Sequence, residues 1–382
     1  MKFVEKRGYA PFLTFAPDKH KPVYNWFYYK EAFSREFVFG IMDELRMREP
    51  FLDPFCGIGT TLLACKEKNV AATGFDASPL AILASKVKTE DYGEEELDEI
   101  EKEIKKMEKT KWKKPVWKWK FELFPPARAF PKNNFEDALF LRELVEEVAG
   151  EKIRCFFLLA LASIIPETSL TLKDGGVLKI VRKKHLPPLK GFFFRKARRM
   201  LKDLGENKIV GRKPVVEEGD ARRIPLENNS INSVITSPPY LNNVDYTKIY
   251  GLELSLLFGE EKTREVRKKS LRSFIGLDAG GLEEIEGIDL SGMPLVAKNY
   301  FADMKKVLGE THRVLRAGGK AAFVVGNSVL PQGNIEVDAI LAEIAESIGF
   351  GSEIWVGNVE YADVPVKGKK PARESIVVLE KS

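Results

Sequence analysis

Apolar residues recur along this chain in short runs separated by glycine, proline and acid, the rhythm of strands alternating with helices. Ser34 precedes a stretch in which Phe37, Val38, Ile41 and Leu45 share one face, which predicts a capped helix from Arg35. The segment from Phe51 to Leu63 reads as a strand end, a glycine turn and a helix start. A second strand covers Ala71 to Phe75, ends at Asp76, and is followed by a helix from Pro79 to about Val87. That βαβ order predicts a parallel sheet with right-handed crossovers. The alternation breaks over 89–214, which is helical and highly charged, and resumes with a strand over Val215 to Asp220. A buried strand, Ser233-Val234-Ile235-Thr236, follows closely. Farther on, Tyr300 to Leu315 reads as an amphipathic helix ended by the glycine stop Arg316-Ala317-Gly318-Gly319. A strand over Lys320 to Gly326, a helix over Ile335 to Ile348 and a last strand over Ser375 to Leu379 complete the pattern, with no internal repeat. The expected organisation is an α/β domain in two halves. Residues 1–88 supply an aromatic N-terminal segment and the first half, 89–214 a mainly helical insertion, and 215–382 the second half.

Composition narrows the class. At 382 residues with 44% hydrophobic content, the chain forms a large core and has room for a substantial insertion. Cys56, Cys65 and Cys155 are odd in number and lack metal-type pairing, which points to a reducing, cytoplasmic setting. No secretory signal is visible at Met1-Lys2-Phe3-Val4-Glu5-Lys6, and the longest apolar run, Phe156 to Ile165, is about half a membrane span, so it reads as a buried helix. The net charge of +5 decides nothing alone, and the alternating Lys and Glu runs hint at a thermophilic source. His20, His185 and His312 are scattered without metal spacing, so no metal is expected.

Two strand ends carry the chemistry. Ser237-Pro238-Pro239-Tyr240 ends the buried strand with two prolines, which cannot continue a ladder, so the backbone leaves the sheet in a fixed shape. A hydroxyl, a carbonyl and an aromatic ring then face whatever lies beyond the strand, where α/β sheets bind ligands. Such a cluster suits a planar ring bearing an amino group. Gly57-Ile58-Gly59 forms the second anchor, letting the backbone pass close to a ligand ahead of a helix N-terminus. Asp53 precedes that turn, Asp76 ends the next strand where a nucleoside ribose is held, and Gly219-Asp220-Ala221 ends the third, placed for an adenine edge. Asp53 would repel a pyrophosphate yet pair with an ammonium, which favours S-adenosylmethionine over NAD.

Asp53-Pro54-Phe55-Cys56-Gly57-Ile58-Gly59-Thr60 and Thr236-Ser237-Pro238-Pro239-Tyr240 resemble the cofactor loop and catalytic motif of amino-group methyltransferases acting on nucleic acids. The serine form of the motif resembles the cytosine-N4 branch, and the aromatic segment ending in Phe33-Ser34 is similar to the element that closes over the methionine part of the cofactor. The resemblance covers roughly residues 20–90 and 215–380. It implies a Rossmann-like methyltransferase fold, a mostly parallel seven-stranded sheet flanked by helices, carrying the helical insertion. It implies catalytic roles for Ser237, Pro238, Pro239 and Tyr240. It also implies S-adenosylmethionine contacts from Phe33, Ser34, Asp53, Pro54, Phe55, Cys56, Gly57, Gly59, Thr60, Asp76, Ala77, Asp220 and Ala221.

Substrate contacts are read from Asn243, Asp245 and Tyr246 downstream of the motif, although Asn and Asp are ordinary loop formers. Within the insertion, Lys111, Trp112, Lys113, Trp117 and Trp119 interleave cations with indoles, the mix used for unpaired nucleic acid, and Arg195, Arg198 and Arg199 form a second basic run. Core tryptophans and a solvated charged face would read the same way. The modest helical insertion favours RNA, with a resemblance to archaeal enzymes that methylate or dimethylate cytidine N4 in ribosomal RNA. Site-specific DNA cytosine-N4 methylation is the alternative. Adenine-N6 or guanine-N2 methylation of RNA, or an inactive RNA-binding scaffold, stands behind both. A monomer and no membrane partner are expected.

Overall fold

The computed structural model describes residues 2–241, 244–274, 285–330, 333–364 and 368–382. Strands follow in chain order as β1 (Phe3–Glu5), β2 (Phe51–Asp53), β3 (Ala72–Asp76), β4 (Thr171–Asp174), β5 (Val177–Ile180), β6 (Val215–Glu218), β7 (Ile231–Thr236), β8 (Leu315–Gly326), β9 (Ser328–Leu330), β10 (Gly333–Ile335), β11 (Phe350–Val364) and β12 (Gly368–Lys381). The helices of the sheet are α1 (Arg35–Glu44), α2 (Thr60–Glu67), α3 (Pro79–Thr89), α10 (Leu295–Val314) and α11 (Val337–Ile348). Those of the insertion are α4 (Glu94–Lys109), α5 (Lys132–Glu146), α6 (Glu151–Thr168) and α7 (Leu189–Glu206), and α8 (Tyr246–Ile249) and α9 (Gly251–Lys269) follow the Ser-Pro-Pro-Tyr corner.

The main sheet has eight strands in the order β1-β11-β12-β8-β7-β2-β3-β6. β8, β7, β2, β3 and β6 pair in parallel, and β12 runs antiparallel to both of its neighbours. This is the Rossmann-like methyltransferase fold, with one short strand more than the seven expected: the three residues of β1 add an edge beside β11. Three residues are too few to show a period of two in the sequence. From β2 the chain moves outward to β3 and β6, then returns across β2 to β7, so the order reverses between β2 and β7. Such a reversal leaves a crevice at the carboxyl ends of the two strands.

Local chemistry explains most boundaries. Ser34 caps α1 by accepting from the Phe37 N–H, with Phe37, Val38, Ile41 and Met42 buried below. α10 begins at Leu295, five residues before the expected start, directly after Pro294. The expected glycine stop after it is not a loop: Leu315 passes straight into β8, and Gly318, at φ +72°, sits in a register shift against β7. The last strand is far longer than Ser375 to Leu379, because β11 and β12 continue as a two-stranded ribbon from Asn358↔Glu374 to Val364↔Gly368, beyond where β8 stops pairing at Gly326.

The insertion does not stand apart from the sheet. Phe156, Phe157, Leu161 and Phe193 of α6 and α7 are buried in one cluster with Trp26 and Phe27, with Leu80 and Val87 of α3, and with Leu252 to Leu257 of α9. It also contains the hairpin β4–β5, which its charged sequence did not announce. Among the described residues no helix is long and apolar enough to cross a membrane, and no three His, Cys, Asp or Glu gather as metal ligands.

Candidate active site

The crevice between β2 and β7 opens into a cavity of about 1360 Å³ including its mouth.

Its floor is built by the glycine loop. Gly57 at φ +49° and Gly59 at φ +80° turn the chain from β2 into α2, and Gly59 is the N-cap of that helix. A Cβ on Gly59 would lie 2.8 Å from Ser85 Oγ and 3.0 Å from Ser85 Cα, so no larger residue fits. Ser85 Oγ in turn donates to the Gly57 carbonyl at 2.7 Å. Gly74 of β3 lets α2 close down, since a Cβ there would sit 2.5 Å from Leu62 Cδ1. Asp76, at the end of β3, accepts from the Gly57 N–H at 3.0 Å and the Ser78 N–H at 2.8 Å. Burial pushes its carboxyl up to about 6 against those two bonds.

Asp53 and Thr236 join the two sides of the crevice: Thr236 Oγ1 donates to Asp53 Oδ1 at 2.6 Å, across the switch from β2 to β7. Asp53 is 2% exposed, and burial pushes its carboxyl up to about 7 against hydrogen bonds from Thr236, Thr61 and the Phe55 N–H. The residue after Thr236 is Ser237, so this bond fixes the Ser-Pro-Pro-Tyr corner against the glycine loop. Tyr240 is held on two sides. Its hydroxyl donates to Glu374 Oε1 at 3.2 Å, and its ring lies on Gly326, where a Cβ would come within 3.0 Å of Cδ2.

Phe33, Asp53, Pro54, Phe55, Cys56, Gly57, Thr60, Asp76, Ala77, Asp220 and Ala221 all line this cavity, together with Ser237, Pro238, Pro239, Tyr240 and Tyr246. Other expected site residues lie elsewhere. Ser34 is fully buried as the cap of α1, donating to the Phe12 carbonyl at 3.0 Å, so it does not reach a cofactor. Gly59 serves by its backbone turn alone. Asp245 does not line the cavity: it caps α8, accepting from Thr247 Oγ1 at 2.6 Å, and pairs with Arg267 Nε at 2.8 Å. Asn243 lies outside the described residues.

The insertion's candidates are also remote from the cavity lining. Trp119 is 7% exposed and donates its indole N–H to Ser255 Oγ at 2.9 Å, so it is a core residue rather than a stacking platform. Trp117 packs under the Arg142 guanidinium at 5.0 Å, while Trp112 remains 49% exposed beside Phe140. Lys113 pairs with Glu147 and Arg198 with Glu108, whereas Lys111, Arg195 and Arg199 are exposed.

The roof was missed by sequence reasoning. Tyr29 stacks on Tyr250 at 4.5 Å, the Tyr250 hydroxyl donates to Glu31 Oε2 at 2.8 Å, and the end of α9 with 270–274 closes the far side. The run Tyr24 to Ser34 marked the first of these as aromatic, but which ring faces inward depends on α8 and α9.

Charge decides what this cavity can hold. Among the described residues, Glu31, Asp53, Asp76 and Asp220 line it against a single lysine, Lys269. Asp220 is already engaged by Arg222 at 2.8 Å. A pyrophosphate would meet uncompensated carboxylates, whereas a ligand carrying an ammonium and a sulfonium is matched. S-adenosylmethionine therefore fits this lining.

No family model matches the chain. It is 28% identical to "Type II methyltransferase M.BsoBI" of Geobacillus stearothermophilus, over 88% of this chain and 80% of that one. It is 29% identical to "Type II methyltransferase M.AvaI" of Nostoc sp. and of Anabaena variabilis, over 89% of this chain and 82% of theirs. Among solved structures, a SAM-dependent methyltransferase of Methanosarcina mazei covers 89% of this chain and 96% of its own at 9% identity, with a TM-score of 0.34. The strand order itself identifies the fold. Relatives of one reaction class along nearly the whole length, over a cavity built for a cationic nucleoside, make this chain an S-adenosylmethionine-dependent methyltransferase.

Proposed function

We propose that this chain methylates the exocyclic N4 amino group of cytosine in DNA at a specific site. The observation that carries the reading is the Thr236–Asp53 bond, which ties Ser237 to the glycine loop across a cavity that both line. When bound, S-adenosylmethionine supplies an electrophilic methyl on its sulfonium. Cytosine N4 is conjugated with its ring and is a poor nucleophile until its hydrogens are drawn aside. Ser237 Oγ and the Pro238 carbonyl are the acceptors at the corner that can take those hydrogens, turning the lone pair towards the cofactor side. The Tyr240 ring, clamped by Gly326 and Glu374, offers the flat face against which a base removed from its stack would rest.

Methylation at C5 instead of N4 needs a thiolate nucleophile. Cys56 is the cysteine on the cavity wall, and burial pushes its thiol far up, with Asp76 and Asp53 acting the same way. It stays protonated.

DNA is preferred over the RNA expected from the modest insertion. We read the Type II designation of the relatives as pointing to DNA. The match to those relatives spans 88–89% of this chain. The archaeal ribosomal reading has no counterpart among these relatives. The test is incubation with labelled S-adenosylmethionine and either plasmid DNA or ribosomal subunits, followed by digestion to nucleosides and mass spectrometry. N4-methyldeoxycytidine is expected. Label in RNA alone, or in an adenine or guanine nucleoside, overturns the proposal.

A further inference from the structure

The hairpin β4–β5 stands on the rim of the cavity and turns an uncovered aliphatic face outward. Its turn is Asp174-Gly175-Gly176-Val177, with Gly175 at φ +56°. The pairs Thr171↔Ile180 and Lys173↔Leu178 place those four residues on one face, and Leu172↔Lys179 and Asp174↔Val177 place theirs on the other.

The first face is anchored at three of its four residues, with Ile180 39% exposed at the end of β5. Thr171 and Leu178 are buried, and Lys173 Nζ lies 3.6 Å from the Tyr250 ring centroid and 2.7 Å from Glu253 Oε1. Tyr250 lines the cavity, as do Tyr246 and Thr247 of α8, against which β5 packs. The second face is uncovered: Leu172 is 50% exposed and Val177 53%. On that face Lys179 pairs with Asp174 at 2.6 Å, and Lys30 also acts on the Asp174 carboxylate, so no acid is left alone there. Lys179 stands opposite Leu172 in the ladder, Lys30 reaches the Asp174 carboxylate, and Arg182 and Lys184 are exposed in the residues that leave β5.

We propose that Leu172 and Val177 form a wedge that enters the base stack of duplex DNA at the target and fills the gap left when the cytosine turns into the cavity. The inference rests on the substrate reading above and adds how the base is extracted. A crevice at the carboxyl ends of β2 and β7 admits a base but not a base pair, so the target must leave its stack. The vacated gap is apolar above and below and lies between phosphates. Two branched aliphatic side chains on one face of a short hairpin, in a segment with exposed lysines and an arginine, match both features.

The test uses the full chain and the variant Leu172→Ser/Val177→Ser. Both positions are exposed, so melting temperature should stay within a few degrees of wild type. The methylated position is first mapped in plasmid DNA with the wild-type enzyme. Short duplexes carrying that site are then compared with the cytosine either paired to guanine or facing an abasic site, where extraction is already half done. On the paired duplex the variant should lose about 10- to 100-fold in kcat/KM, the scale of a few kcal/mol of unstacking. On the abasic duplex it should return to within about threefold of wild type. An equal loss on both duplexes, or no loss on the paired one, overturns the wedge while leaving the substrate reading intact. A wild-type enzyme that leaves plasmid DNA unmethylated overturns the substrate reading, and the wedge falls with it.

Discussion

At Ser237 a strand ends and an acceptor pair begins within one residue, and this allows binding and chemistry to be separated by substitution. Ser237→Ala removes one acceptor for the amino hydrogens and leaves Asp53, Asp76 and the glycine turn untouched. Losing one such preorganised group should lower kcat by about 100-fold. Calorimetric affinity for S-adenosylmethionine should stay near wild type. Asp76→Ala acts on the other half of the cavity. It frees the Gly57 and Ser78 N–H groups as well as the position assigned to the ribose. Charged hydrogen bonds of about 1.5–3 kcal/mol translate to a cofactor affinity weakened by roughly 10- to 100-fold. A Ser237 variant that loses the cofactor, or an Asp76 variant that binds it normally, would contradict the assigned roles.

At the scale of elements, what could be read in advance was whatever local rules fix. The turn from Asp53 to Thr60 and the break at Ser237-Pro238-Pro239 are written in glycine and proline, and both line the cavity as expected. Ser34 and Asp245 misled for a physical reason: a side-chain oxygen that can bind a ligand can equally cap a helix, and here both caps won. The hairpin β4–β5, the roof from α9 and the ribbon of β11 and β12 depend on pairings and packing distant in sequence, which periodicity does not report. The tryptophans make the same point. Trp119 lies in the core between α5 and α9 and Trp112 lies half out of it, although both sit among lysines. Trp119→Ala should therefore destabilise the insertion by about 3–5 kcal/mol, seen as a large fall in melting temperature. Trp112→Ala should shift it little.

The whole molecule is tied together by the cavity. Its walls draw Leu80, Tyr250 and Leu254 from the core shared with the insertion, Ala221 and Leu271 from the core beside α10, and Phe33 and Cys56 from the core beneath α1. A ligand seated there touches all three, so it should stabilise the chain as one unit. At a concentration about 100 times its Kd it would add roughly 2.7 kcal/mol. The effect should depend on pH, with a sign set by the two acids that face the ligand. Without ligand, burial holds Asp53 at about 7 and Asp76 at about 6. A cation placed beside them favours their charged forms and lowers both values, so binding releases protons. Affinity should then rise with pH through the interval from about 5 to 8, level off above it, and fall as protons return to the carboxylates on acidification. Thermal shifts with S-adenosylmethionine across that range measure this directly. Asp53→Asn should flatten the upper part of the curve, and a shift that stays constant from acid to neutral pH would show that neither carboxylate responds to the bound cation.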